Sequence, residues 1–476
     1  MFSKLKWVSR KFIWVLVLIL TANFSAPQPA AAMTIQEERE LGEKFLQEAK
    51  KYWQFIQDVS INGYVAGVGR RILRGVGSQP FEYQFFVLNS PEVNAFAVPG
   101  GKVFVNSGLI LLVENEDELA GVMAHEIGHV TARHISKRSE KAMPLSLAML
   151  GALLAGIFLG GKAASAIATT AMAATETLML KYSREDEDEA DYLGLRYMDQ
   201  VGYDRKGMVS MFKKLRRLHG PASADPPAYL LTHPAAEERA DKMAIQMAHL
   251  PPEDRISNPV GNIRRIQTKL RAQEKDLPGV VAYFENWQKR QPNEGEAYYG
   301  LALAQRRMGS LDRAMENLTE AISLYPQDGE IVRELGYTQF LSGNFSEAQK
   351  NLEKASRLSP TDGLAFFHLG LVQFQQNEPQ LSLRALLRAK ELLPNFPEIS
   401  YHLGRAYGGV GQLGPAYLNF GQYYRAMGDS RTALSHFQKA LPFYDERSSE
   451  RREIQKEISD LESLRRAPRE GEDARR

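Results

Sequence analysis

Cysteine is absent from all 476 residues. That excludes a disulfide framework, a lipid-modified cysteine and thiolate metal ligands, and leaves core packing or a metal held by nitrogen and oxygen. A strong excess of one charge is missing too. The formal net charge is +2, so the balance gives no reason to expect a nucleic-acid partner. A clean hydrophobic run of membrane length is also lacking. The first apolar run, FIWVLVLIL, covers only 12–20, short of the roughly 20 residues that a spanning helix needs. A second uncharged stretch, Ala142–Gly161, carries Pro144, Gly151, Gly156, Gly160 and Gly161. These make it a poor single helix for a bilayer. Apolar sequence resumes from there to Leu180, with only Lys162 and Glu176 inside. The expectation for 142–180 is a buried helical hairpin; contact with a membrane surface is the alternative.

What is present sorts into segments. Lys4, Lys6, Arg10 and Lys11, the apolar run and SAPQPAAA at 25–32 have the three-part layout of a secretory signal, with cleavage expected after Ala32. Its removal takes away four positive charges and leaves a net charge of −2. A cysteine-free exported chain fits a bacterial periplasm. Residues 33–250 alternate helical and strand patterns. FEYQFFVL at 81–88 reads as a strand, and NAFAVPGGKVFVNSGLI at 94–110 reads as two short strands turned at Pro99-Gly100-Gly101 and leading into a helix. Asn115 followed by Glu118 predicts a capped helix start. The stretch 251–262 is rich in proline and polar residues and reads as a linker.

Beyond it the chain repeats itself. Pro292, Pro326, Pro360 and Pro394 stand 34 residues apart, as do Gly336, Gly370 and Gly404, and Ala321, Ala355 and Ala389. That period, with small residues where helices approach and proline where one ends, predicts a tetratricopeptide solenoid over 263–445. After Pro394 two turn-like stretches lie only 17 residues apart, which predicts extra helices closing the array. Residues 446–476 are expected to form a charged helical or disordered tail.

The chemistry centres on HEIGH at 125–129. On a helix His125 and His129 share one face, a turn apart, as two nitrogen ligands of one zinc ion would. Glu126 is placed to take a proton from water at that ion. Gly128 costs the helix about 1 kcal/mol relative to alanine, which makes sense where another backbone or a substrate comes close. Zinc needs a third protein ligand. YSREDEDEADYLG at 182–194 offers one, but spacing alone leaves Glu185, Glu187 and Glu189 open, and a solvated acidic helix start remains an alternative. Asp191, one turn from Glu187, could accept a hydrogen bond from the far nitrogen of a ligand histidine. His134 is expected to hold the end of the zinc helix.

HEIGHVTARH, then YSREDEDEADYLG, then LLTHPAAEERADKM resemble the zinc metalloprotease family that includes HtpX, the CAAX prenyl proteases and the BepA (YfgC) periplasmic proteases. The resemblance covers roughly 35–250. It implies Glu187 as third ligand, Glu126 as base, and the family's His-Pro and arginine at His233, Pro234 and Arg239. The signal, the lack of convincing spans and the repeats point to the BepA-like branch. Some relatives carry a disulfide, which this chain cannot form.

The expected fold is therefore an α+β, mainly helical zincin-like metalloprotease domain followed by an all-α solenoid, with one Zn2+ per chain. His233 could donate to the oxyanion of a tetrahedral intermediate, or occupy zinc's open position at rest. AFAV at 95–98 could pair as an edge strand with substrate backbone, or lie inside the sheet. The resemblance implies a periplasmic endopeptidase acting on unfolded or extended polypeptides, misfolded or stalled exported proteins among them. It also implies repeats that bind the outer-membrane β-barrel assembly machinery or the client. The alternative is an assembly chaperone or adaptor with rarely used proteolysis.

Overall fold

The computed structural model describes residues 33–141, 182–218, 229–230, 233, 236–248 and 259–466. The expected signal at 1–32, the hairpin at 142–180, most of the linker and the last ten residues lie outside the described residues. The chain divides into two compact units, one ending at Leu270 and the other beginning at Arg271.

The first unit is built on a small sheet. Helix α1 (Ile35–Tyr52) starts at a capping box between Thr34 and Glu37, and α2 (Val59–Val76) starts at Asp58. Strands β1 (Gln84–Leu88), β2 (Ala95–Val98) and β3 (Lys102–Asn106) follow. Their order is β1-β3-β2, with β1 parallel and β2 antiparallel to β3. The period-two alternation of strands divides the side chains between two cores. Phe86, Phe104 and Phe96 stack across all three strands, with ring centroids 5.1 and 4.9 Å apart, and pack on Phe45 and Trp53. Val87, Ala95, Ala97, Val103 and Val105 point the other way, into the main core.

That core supports the helices that matter for function. After α3 (Ser107–Leu112) comes α4 (Glu116–Thr131), which carries HEIGH. Its start is half of the expected capping box. Asn115 accepts from the Glu118 N–H, but the Glu118 carboxylate reaches the N–H of Glu114 instead of that of Asn115. A short helix, α5 (His134–Lys141), leaves its end, and α6 (Arg184–Gln200) crosses it. The crossing explains Gly128. A Cβ there would stand 2.9 Å from the Ala190 carbonyl oxygen, and one on Gly194 would stand 3.2 Å from the His125 nitrogen. The two glycines let the backbones approach, and side chains one turn away on α6 reach the histidines. Helices α7 (Lys206–Leu218) and α8 (Ala236–Ala248) pack outside. No described helix is long and apolar enough to cross a membrane.

The proline-rich stretch predicts a first unit ending before residue 251 and repeats starting at 263; in the structure the first unit runs on to Leu270. The Glu116 carboxylate accepts from the N–H groups of Val260 and Gly261. Helix α9 (Ile263–Ala272) buries Ile266 and Leu270 in the first core, and Gln267 donates to the carbonyls of Ile110 and Val113. Amphipathic spacing shows that this helix has a buried face but not which unit covers it. A protein ending at Asn258 should therefore be less stable by about 3 kcal/mol or more than one ending at Leu270, from the two lost apolar side chains alone. Urea unfolding of the two proteins checks this, and equal midpoints would refute it.

The second unit is a stack of antiparallel helix pairs. After a leading helix, α10 (Leu277–Arg290), the pairs are α11 (Gly295–Arg307) and α12 (Leu311–Leu324), α13 (Gly329–Leu341) and α14 (Phe345–Leu358), α15 (Gly363–Gln375) and α16 (Pro379–Leu392), and α17 (Pro397–Gly409) and α18 (Leu413–Ala426). Gly309, Gly343 and Gly411 take positive φ in successive tight turns, and Asn377 holds the same slot at φ 62° where the glycine ladder is broken. Asparagine is the residue after glycine that best tolerates this conformation. The array closes with α19 (Ser430–Ala440) and α20 (Ser449–Arg466). Ile454 and Leu461 of α20 pack with Ala433 and Phe437, so much of the expected tail is a packed helix.

Candidate metal centre

Four elements meet beside the α4–α6 crossing. The α4 helix supplies His125, Glu126 and His129, α6 supplies Glu187 and Asp191, and the segment after Tyr229 supplies His233. Arg239 projects from α8. All of these side chains are buried.

His125, His129, Glu187 and His233 each turn one ligand atom to a common centre, all within 4.8 Å of one another. His125 Nε2 is 2.9 Å from His129 Nε2 and 3.3 Å from His233 Nδ1. Glu187 oxygens lie 3.0 Å from His233 Nδ1, 3.5 Å from His125 Nε2 and 3.6 Å from His129 Nε2. Edges of this length put the centre of a tetrahedron roughly 2 Å from each corner, the bond length of zinc to nitrogen or carboxylate oxygen. The donor set fits zinc in chemistry as well, with three imidazoles and one carboxylate. Neither oxygen of Glu126 nor Nε2 of His233 has a hydrogen-bond partner among the described residues, although the two groups lie 3.4 Å apart. Such buried polar groups are costly unless something else occupies the site.

The histidines are oriented from behind. His125 Nδ1 lies 2.9 Å from Asp191 Oδ1, the support expected for a ligand imidazole. Arg239 locks that carboxylate by donating to both its oxygens at 2.8 and 2.7 Å. The same guanidinium touches Glu187 and lies 4.5 Å over the Phe212 ring. Tyr182 stacks on His129 at 3.7 Å, and Tyr229 stacks on His233 at 4.4 Å.

The electrostatics follow from burial and this pairing. Burial pushes the Glu126 carboxyl up to about 7, against the pull of His233 and Arg239. Burial would raise Asp191 as well, but Arg239 outweighs it and holds Asp191 down at about 2. Glu187 is likewise kept below its ordinary value, against burial, by His233 and Arg239. Burial lowers His125 and His129, so both are neutral and ready to ligate at pH 7. His233 behaves oppositely: burial lowers it, but Glu187 and Glu126 outweigh that and raise it.

β2 runs past Glu126. The bond from the Asn106 N–H to the Asn94 carbonyl sets the phase of the β2–β3 ladder. Ala95 and Ala97 therefore turn their own N–H and C=O groups to the edge away from β3. Their side chains are buried, so this edge is covered in packing, and the Ala97 backbone lies close enough to the Glu126 carboxyl to pull against its upward shift.

The structure brings together every site residue expected from the sequence. It adds Tyr182, Tyr229 and a contact by His134 that the sequence reading missed. Tyr229 could have been found from its spacing, one helical turn before His233. Tyr182 precedes the Ser183 cap and carries no such signal.

Residues 60–245 match peptidase family M48, and residues 295–328, 333–397 and 414–441 match tetratricopeptide repeats. A Vibrio cholerae serotype O1 protein described as a candidate beta-barrel assembly-enhancing protease is 29% identical over 304 residues, 62% of this chain and 62% of that one. The beta-barrel assembly-enhancing protease of Escherichia coli K12 is 32% identical over 213 residues, 44% of this chain and 43% of that one. The mitochondrial metalloendopeptidase OMA1 of Schizosaccharomyces pombe is 32% identical over 180 residues, 38% of this chain and 51% of that one. The chain thus spans between about two fifths and three fifths of the length of these relatives.

Proposed function

From the premise that this chain carries a peptidase family M48 domain joined to tetratricopeptide repeats, we propose that it is a zinc-dependent endopeptidase of the bacterial periplasm. Its substrates are misfolded or stalled exported proteins, outer-membrane β-barrel precursors among them. The observation that carries the reading is the buried four-donor cluster with Glu126 at its side. His125, His129 and Glu187 hold one zinc ion, which when bound lowers the pKa of water and polarises a carbonyl. Glu126 takes the proton from the attacking water and passes it to the leaving amine. Asp191 and Arg239 keep His125 oriented. The outward N–H and C=O groups of Ala95 and Ala97 pair with an extended polypeptide, which binds backbone with little side-chain preference.

His233 acts as a plug. As the fourth donor it fills the position that water and substrate need, and the site around it is closed. Cleavage therefore requires His233 to leave, after which its imidazole is free to donate to the oxyanion. His233→Ala should retain zinc and raise cleavage of unfolded casein at low substrate concentration. Wild-type or lower activity together with full zinc content would assign His233 to catalysis alone.

The repeats recruit the client or the β-barrel assembly machinery, using the concave surface that stacked helix pairs create. The closed site also favours a second reading, an assembly adaptor that cuts rarely. Outer-membrane integrity separates the two in cells carrying Glu126→Gln or a deletion of 271–476. Healthy cells with the first and damaged cells with the second would favour the adaptor.

A further inference from the structure

His134 stands five residues after His129, a spacing that turns two side chains about 140° apart on a continuous helix. The helix does not continue. Ala132 caps α4, and Arg133 takes φ 55°, a left-handed conformation that residues with a Cβ rarely adopt. Arg133 is tied down there by the Glu38 carboxylate at 2.6 Å and by the Met33 carbonyl. The reversal brings His134 back against the turn it has left. Its Nδ1 lies 2.8 Å from Nδ1 of His129, and its Nε2 lies 3.1 Å from Oε2 of Glu189. His134 is fully buried, whereas the Glu189 side chain is 50% exposed.

Proton positions along this line are forced once His129 ligates a metal. Its Nε2 faces the donor cluster and can carry no proton there, so the neutral ring keeps its proton on Nδ1. Two Nδ1 atoms in contact cannot both donate. His134 therefore accepts at Nδ1, and its own proton sits on Nε2, aimed at Glu189. We propose that His134 and Glu189 form a two-step support that fixes the tautomer and ring plane of His129 for the metal. His134 is a positioning residue that links the buried ligand to a carboxylate at the surface. The two α4 ligands are then supported differently. His125 rests directly on a buried carboxylate locked by Arg239, and His129 rests on a carboxylate through an intervening imidazole. This inference depends on the reading that the cluster holds a metal.

The test uses the full chain after signal removal, with zinc titrated against a competing chelator. His134→Phe keeps the ring but loses both hydrogen bonds. It should weaken zinc binding by about 10–100-fold, the usual cost of losing such a partner. His134→Asn keeps an acceptor at the δ position and should fall between His134→Phe and wild type. Glu189→Ala, at a half-exposed position that cannot disturb the core, should also weaken binding. Wild-type affinity in His134→Phe overturns the proposal. If that variant does not fold, wild-type affinity in Glu189→Ala overturns it instead. A second readout does not depend on affinity. In zinc-loaded wild type, imidazole 15N shifts should place the His134 proton on Nε2 and the His129 proton on Nδ1, and a proton on His134 Nδ1 overturns the assignment. A wild-type protein that binds no zinc would sink the metal reading itself. Zinc bound equally by wild type and His134→Phe would sink only this one.

Discussion

With glutamine in place of Glu126, zinc should stay bound while casein cleavage should fall by about 10²–10⁴-fold, the usual contribution of a positioned general base. Glutamine has the same shape, and Glu126 does not belong to the donor cluster, so the metal site keeps its ligands. What is lost is a carboxylate whose proton affinity burial has brought up to about 7, close to the value that suits a base near neutral pH. The same shift predicts a stability effect of known sign in chelator-treated protein. Because the folded state holds this proton more tightly than the ordinary value of 4.5 allows, wild type loses stability as pH rises from 4.5 through about 7. Glu126→Gln has no such loss. Its melting temperature, compared with that of wild type, should rise between pH 5 and pH 8. Substantial cleavage by a clean Glu126→Gln preparation would remove Glu126 from the base role, and a difference in melting temperature that does not change with pH would remove the buried-carboxylate account.

Much of this centre can be read in the sequence because its chemistry obeys helical spacing. His125 and His129 must share a face if the segment is a helix, and the 34-residue ladders require stacked helix pairs. The choice among the acids of SREDEDEAD is different. All would suit a solvated helix start, and only the crossing sets which face turns inward. The close approach of Gly128 to Ala190 and of Gly194 to His125 aims Glu187 and Asp191 at the histidines. Asp188, on the other side of the helix, pairs with Lys242 at the surface instead. The support of His129 by His134 is hidden for a similar reason. It depends on one left-handed residue, Arg133, and arginine does not announce that conformation. The end of the first unit is misread because Ile266 and Leu270 would suit either core. Patterns local to one element are legible; partners brought together by the fold are not.

Replacing Arg239 by alanine should cost about 3–5 kcal/mol at pH 7, the penalty for leaving buried charge without its partner. The residue is almost completely buried and serves two carboxylates, Asp191 through paired hydrogen bonds and Glu187 through direct contact. In wild type the folded-state value of Asp191, about 2, lies below its ordinary value of 3.8. Its ionised form therefore stabilises the fold above pH 3.8, and that contribution is lost as pH falls through about 2. Without Arg239, burial dominates and the carboxyl shifts above 3.8, so the sign reverses. The Arg239→Ala protein should lose stability as pH rises, and its deficit should be smaller at pH 4 than at pH 7. Urea unfolding of chelator-treated protein at the two pH values measures this, and a deficit under about 1 kcal/mol at pH 7 would contradict the buried-pair account. Arg239→Lys should recover only part of the loss, because a point charge cannot bond both Asp191 oxygens in the planar fork that arginine supplies. Zinc affinity should fall with stability, since Asp191 released from Arg239 no longer fixes the His125 ring. One guanidinium thus allows Glu187 and Asp191 to stay ionised in a closed site where Glu126, beyond its hydrogen bonds, keeps the proton affinity of a base.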